Sequence, residues 1–170
     1  LPDRKTHIIN NVNKTLASKH YSVKKISNIE LTYNILDDVQ TNWLVDVRNE
    51  KDFEKLHLPG AVNIPLEKLF DRSWEDYLGN QNLKKIFIGY GNTDATRAAL
   101  LCKEIGYKNL IILDGGFNEY EAVILKGIHK PTNNNDETNA FISESSVLIK
   151  EMIAKSKLPK VKPKVIMKEK

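Results

Sequence analysis

The sequence predicts an α/β domain organised on a small parallel sheet. Three stretches, Trp43–Val47, Lys85–Ile88 and Asn109–Leu113, are short and nearly all apolar, the pattern of strands buried on both faces. Helix-forming segments separate them, and such alternation calls for parallel pairing with crossover helices. The third observation is the stretch Ile86–Arg97, where a β-branched and aromatic run ends at Gly89, a polar loop follows and a helix begins. Strand, tight loop and helix N-terminus form the usual place for an α/β protein to hold an anion or a nucleophile, because backbone N–H groups and the helix dipole converge there. This loop contains no Cys, Ser, His or Lys.

Taken in order, residues 1–20 are polar with a weak helical stripe, Ile9, Val12 and Leu16, which predicts a short helix or an irregular arm. Ser27 or Asn28 is placed to cap a helix running through Ile29, Leu31, Ile35 and Leu36. After the Trp43–Val47 strand, Asn49 starts one helical turn with Phe53 and Leu56 facing inward. His57–Pro65 reads as a turn and then a short strand, fenced by two prolines. Leu66, Leu69, Phe70, Trp74, Tyr77 and Leu78 recur at helical spacing, so 66–78 is expected to be mostly helical. A helix over Ala95–Ile105 follows the central loop, and Asp114-Gly115-Gly116 breaks the next strand and opens a helix over Phe117–Leu125. Residues 131–136 are a linker without apolar content. Phe141, Ser145, Leu148, Ile149, Met152 and Ile153 then form an amphipathic stripe. The last stretch, Leu158–Met167, alternates Lys and Pro with apolar residues and should be extended, since Pro fixes φ and blocks helix. The organisation is thus an arm over 1–21, a domain over 22–128, and a linker, amphipathic helix and basic tail over 129–170.

A length of 170 residues suits one domain with appendages. No run nears the roughly 18 apolar residues of a membrane span. The single cysteine, Cys102, excludes an internal disulfide and any multi-cysteine metal site; no metal or cofactor is expected. The net charge of +4 is unevenly laid out. Residues 1–25 carry six Lys or Arg against one Asp, and 155–170 carry seven Lys against one Glu, while 26–154 holds 13 basic and 20 acidic residues. The basicity belongs to the two ends. A nucleic-acid binder would carry it on the folded part, interleaved with aromatics, so nucleic acid is not an expected partner.

Three pieces, in this order, resemble a rhodanese-like domain. Asp46-Val47-Arg48 is similar to the family's strand-end D-x-R. His57–Pro65 resembles its G-H-I-P-G-A-x-N-I-P run, with Leu56 where the leading Gly would be. Glu104–Asn109 followed by Leu113–Phe117 resembles its L-G-Y-x-N-V and L-x-G-G segments. Together they cover about 22–125. The resemblance implies a three-layer α/β domain, a small parallel sheet flanked by helices, here with basic N- and C-terminal extensions. Active members are sulfurtransferases in which a loop cysteine, in C-x-x-G-x-R-S/T, carries sulfur as a persulfide. Counting back from Gly106, that loop maps onto Gly89, Tyr90, Gly91, Asn92, Thr93, Asp94 and Ala95, with Gly89 at the cysteine position and Asp94 at the arginine position. Aligning on Arg97 instead places Asn92 at the cysteine position. Neither register supplies a thiol. The chemistry needs a thiolate to attack the sulfane sulfur and hold it covalently, and the related cysteine-dependent phosphatases need the same nucleophile. The expectation is therefore a catalytically silent member.

Thr93 or Asp94 is placed to cap the helix from Ala95, putting the protein's own acceptor where a thiosulfate or phosphate oxygen would sit. Cys102, two turns into that helix, reads as a small buried hydrophobe. His57 reads as a support for the turn before Pro59-Gly60, and Asp46 and Arg48 as ties between loops and sheet. Gly60, Gly115 and Gly116 belong to the structural motifs. Arg97 is either an anion contact or a salt-bridge partner, and Tyr90 and Asn92 either line a residual pocket or are solvated. Leu158, Val161, Val165 and Ile166, with 1–20 and the 141–154 stripe, are the expected contacts to other protein subunits, since extended apolar and basic tails add strands to sheet edges or lie on acidic surfaces. Three functions follow as expectations: an inactive accessory or scaffold subunit of a larger assembly, held by its termini; a sensor or carrier binding an anion or sulfur species at the degenerate loop; or an active sulfurtransferase using Cys102 or a cysteine on a partner. The start at Leu1 and the basic flanks lean toward an exported, periplasmic or membrane-anchored protein with an upstream anchor, over a cytoplasmic or organellar matrix one.

Overall fold

A computed structural model of the chain describes residues 2–128 and 135–157. The strands are β1 (Lys24–Ile26), β2 (Asn42–Asp46), β3 (Val62–Asn63), β4 (Lys84–Ile88) and β5 (Leu110–Leu113). The helices are α1 (Arg4–Ser18), α2 (Asn28–Leu36), α3 (Glu50–Lys55), α4 (Glu75–Leu78), α5 (Asn92–Ile105), α6 (Gly116–Tyr120) and α7 (Asp136–Ser156). The sheet runs β1-β5-β4-β2-β3, and every pairing is parallel. This is the helix-flanked parallel sheet that the strand and helix alternation predicts.

Side chains alternate between two cores, as the two-residue period of a strand requires. Val45, Phe87 and Ile112 lie side by side in register and point to one face. There α1 and α5 cover them with Ile8, Val12, Ala98, Leu101 and Cys102. Leu44, Ile86, Ile88 and Leu113 point to the other face. That side is closed by Leu31 of α2, Phe117 and Tyr120 of α6, and Ile142, Ile149 and Ile153 of α7. Between α6 and α7 the chain continues as a π-helical turn, Glu121–Leu125, whose Ile124 joins this core. The buried hydroxyls of Tyr120 and Thr32 meet at 2.7 Å and tie α6 to α2.

The structure adds to or departs from the expectations at four places. Of the two forms expected for residues 1–20 the helix is the one found, 15 residues long and opened by the Asp3 carboxylate, which accepts from the Thr6 N–H at 2.7 Å. It is part of the domain, because Ile8 and Val12 are buried in the first core. Strand β1 was not predicted; its three residues Lys-Lys-Ile are too few and too polar to show a period, yet pairing with β5 makes them an edge strand. Residues 66–78 are not one helix but two 3₁₀ turns, Leu66–Lys68 and Arg72–Trp74, followed by α4. Extended backbone at Asp71 interrupts the helix, and Leu69 and Leu78 still reach the core. Finally, α7 turns Leu148 outward at 47% exposure and buries Ile142, Ser145, Ser146, Ile149 and Ile153. The hydroxyl of Ser146 makes this phase tolerable by donating to the Leu125 carbonyl at 3.3 Å.

Leu158, Val161, Val165 and Ile166 lie outside the described residues. Among the described residues no helix is long and apolar enough to cross a membrane. The phase of α7 separates two neighbouring substitutions. Ile149→Ala is expected to lower unfolding free energy by about 2–5 kcal/mol, and Leu148→Ala to stay within about 0.5 kcal/mol, both read from urea midpoints of the intact chain.

Candidate functional site

Strand β4 ends at Ile88, and the connection to α5 is only Gly89-Tyr90-Gly91. The helix begins at Asn92, three residues before the expected Ala95, and its N-cap is Gly91 with no side-chain hydrogen bond. Thr93 and Asp94 are therefore not caps; they sit inside the first turn. The reason lies with Asn92, whose side chain faces the neighbouring loop. Its Oδ1 accepts from the Gly115 N–H at 2.7 Å and its Nδ2 donates to Asp114 Oδ1 at 2.9 Å. Ala95 is fully buried under the loop.

The start of α6 clamps this loop. The Phe117 N–H donates to the Gly89 carbonyl at 2.8 Å, and the Asn118 N–H to the Tyr90 carbonyl at 3.1 Å. Gly116, at φ 65°, passes so close that a Cβ there would lie 2.6 Å from Gly91 Cα and from the Tyr90 carbonyl carbon. A side chain at 116 would push the two loops apart, which gives the Gly115-Gly116 pair its physical reason. Gly89 is enclosed as well. A Cβ on it would lie 2.9 Å from the Gly91 carbonyl oxygen and 3.1 Å from the Ala95 amide nitrogen. Gly89, one of the two positions that the resemblance offers for the cysteine, thus has no room for a side chain without backbone movement.

Tyr90 reaches across to α3. Its hydroxyl donates to the Asp52 carboxylate and accepts from the Asn49 N–H at 3.4 Å. The Tyr90 hydrogen bond holds the Asp52 carboxyl below its ordinary range, while partial burial and then Asp52 push the Tyr90 phenol up. Beneath them Arg48 and Asp46 form a buried ion pair at 2.9 Å. The guanidinium also donates to the Leu56 carbonyl at 2.7 Å and lies 3.8 Å from the centre of the Phe117 ring. Asn63 Nδ2 donates to the carbonyls of both Asp46 and Arg48, each at 3.0 Å. His57 Nδ1 donates to the Phe53 carbonyl at 2.7 Å with its ring stacked on Phe53, and Gly60 takes the left-handed turn that follows. Asp46, Arg48, His57 and Gly60 therefore brace the strand ends around the loop.

The remaining candidates point elsewhere. Arg97 donates through Nη1 to Asn13 Oδ1 at 2.7 Å, fastening α5 to α1. Cys102 is fully buried in the first core, and burial pushes its thiol up to about 12; a thiol so placed is inert. Lys85, also buried, donates through Nζ to the Asn80 carbonyl at 2.6 Å. Among the described residues no group of three or more His, Cys, Asp or Glu could hold a metal ion. The partners that sequence reasoning missed are Asp52, Phe117 and Asn13. Asn49 and Asp52 carry the sign of a helix start, but nothing in that spacing shows a carboxylate meeting a tyrosine 38 residues later.

Comparison with known proteins agrees with this architecture. The rhodanese-like domain model matches residues 28–123. The chain is 32% identical over 82 residues to the adenylyltransferase and sulfurtransferase uba4 of Ogataea parapolymorpha, a match covering 48% of this chain and 21% of that protein. It is 35% identical over 97 residues to the human TBC domain-containing protein kinase-like protein, covering 52% of this chain and 11% of that one. It thus spans about a fifth or less of the length of these relatives. The solution structure of a rhodanese-like domain from Anabaena superposes with a TM-score of 0.53 at 19% identity, over 68% of this chain and 89% of that one. With more than half its length matched, the chain belongs to the rhodanese-like domain family.

Proposed function

We propose that this rhodanese-like domain is catalytically silent and serves as an accessory or scaffold module of a larger protein assembly. The observation that carries the reading is that neither position offered for the sulfur-carrying cysteine holds a thiol: Gly89 is hemmed in by the Gly91 carbonyl and the Ala95 amide, and the Asn92 side chain is spent on Asp114 and Gly115. Sulfur transfer through a persulfide needs a thiolate with access to solvent. Cys102 has neither property, being buried with its thiol pushed up to about 12. The apolar faces of α1 and α7 are spent on the domain's own cores. Contacts to other subunits then use the outward faces of these helices and the Lys/Pro tail over 158–170.

A second reading keeps the loop as an anion site for a sensor or carrier. What favours it is the N-terminus of α5, a 14-residue helix that no side chain caps. Asp94 in its first turn works against an anion there.

Four experiments distinguish these readings. The intact chain should show no thiosulfate:cyanide turnover and no sulfur adduct by mass after incubation with thiosulfate. Gly89→Cys should add no turnover and should lower stability by about 1–3 kcal/mol; turnover in that variant would mean that the cradle is intact and only its reactive atom is lost. Deleting 158–170 should shift the chain to later elution when it is run by size exclusion in extract of its source cells, and unchanged co-migration would count against a scaffold role for the tail. A thiosulfate titration followed by backbone amide shifts decides the second reading: saturable shifts at 91–94 support it, and flat amides there dismiss it.

A further inference from the structure

Two clefts open side by side at the end of the sheet opposite the Gly89–Gly91 loop. The larger, of about 590 Å³, lies where β1 and β5 begin and α5 ends. Its floor is apolar, with Val23, Leu100 and Leu110, and its rim carries Lys24, Lys103 and Lys108. The smaller, of about 280 Å³, lies between the start of α1 and the 66–75 segment. Its floor includes Ile8, Leu69 and Phe70, and Arg4, Lys5 and Arg72 surround it. Tyr107 lines both, so they are neighbours with that residue between them.

Three features bear on what this surface binds. One wall of each cleft comes from α1 or from residues 22–24, which lie outside the matched span 28–123. The surface is therefore shared between the matched span and the segment that precedes it. Next, its charge is nearly all of one sign: Glu75 is the one carboxylate lining either cleft. Among the described residues Arg4, Lys24, Arg72, Lys103 and Lys108 form no ion pair, while Lys5 sits 5.4 Å over the Phe70 ring. Like charges around a concavity focus the field and draw in an anion. Last, the apolar floors call for an apolar group on the ligand, as in concave sites of this size generally.

The geometry points to an acidic linear segment of a partner protein as the occupant, with an apolar side chain entering the larger cleft and flanking carboxylates meeting Lys24, Lys103 and Lys108. A single-stranded nucleic acid needs a run of stacking aromatics, and the clefts offer two, Tyr107 and a Phe70 whose ring Lys5 overlies. A lipid surface needs apolar groups that protrude, whereas these are recessed. The chain's own tail is excluded by sign, since 158–170 carries five Lys and one Glu. The inference stands apart from the loop's silence, because no residue of these clefts touches Gly89–Ala95 chemistry.

The test is an amide-shift titration of the 170-residue chain with an acetylated octapeptide, Asp-Glu-Asp-Leu-Phe-Glu-Asp-Glu. Octaglutamate, octathymidylate and phosphatidylserine vesicles are run beside it. Shifts are expected over 22–24 and 99–110, with affinity falling as salt rises. Octaglutamate should bind more weakly, and Lys103→Glu with Lys108→Glu should weaken the octapeptide about tenfold. Both lysines are exposed, so the amide spectrum away from the clefts should stay unchanged and report an intact fold. The inference is overturned by absent shifts, by shifts confined to other surfaces, or by equal affinity in the double variant. It is equally overturned if octaglutamate matches the octapeptide, or if octathymidylate or the vesicles bind these residues more tightly.

Discussion

Two backbone amides at the start of α6 donate to the carbonyls of Gly89 and Tyr90, and the glycine that lets them approach has no space for a Cβ. Each such bond adds about 1 kcal/mol net and would cost more if left unmade in a buried place. The loop after β4 is therefore shaped from outside, by α6, as much as by its own residues. Asn92 reinforces the join through its two bonds to the Asp114-Gly115 turn, and Tyr90 fastens the far side to α3 through Asp52. Three helices converge on a three-residue connection that holds no thiol.

The same convergence accounts for the motif residues that persist around it. Asp46 and Arg48 are buried, and bringing both charges out of water is costly unless other groups complete their hydrogen bonding. Here the Leu56 carbonyl and the Phe117 ring complete it for Arg48, and Asn63 braces the backbone on either side. Phe117 in turn supplies one of the two amides that hold Gly89. The D-x-R and G-G segments of this chain thus form one structural unit. None of the contacts in that unit depends on a thiol at position 89.

Much of this was legible in the residues. β2, β4 and β5 announce themselves because they are buried on both faces, and Ser27 and Asn49 act as caps as their types suggest. The missing thiol is a matter of identity and needs no structure. What stayed hidden depends on partners far along the chain. α5 starts early because Asn92 finds Gly115, 23 residues away, and the closing of the space around Gly89 needs α6 in place. β1 is visible only through β5. α7 has apolar residues on more than one side, so its stripe could take either phase until α6 and its π-helical turn chose Ile149 over Leu148.

The order of the sheet has a consequence for how the chain is made. α1 and β1 are synthesised before their partners α5 and β5, which lie some 75 to 100 residues downstream. During vectorial synthesis the first two elements wait, one with an uncovered apolar stripe and one as an unpaired strand. Lys24 and Lys25 discourage that strand from joining a stranger. These two elements are then locked in only once β5 has emerged, and nascent chains halted before residue 110 should keep them open to proteases and chaperones.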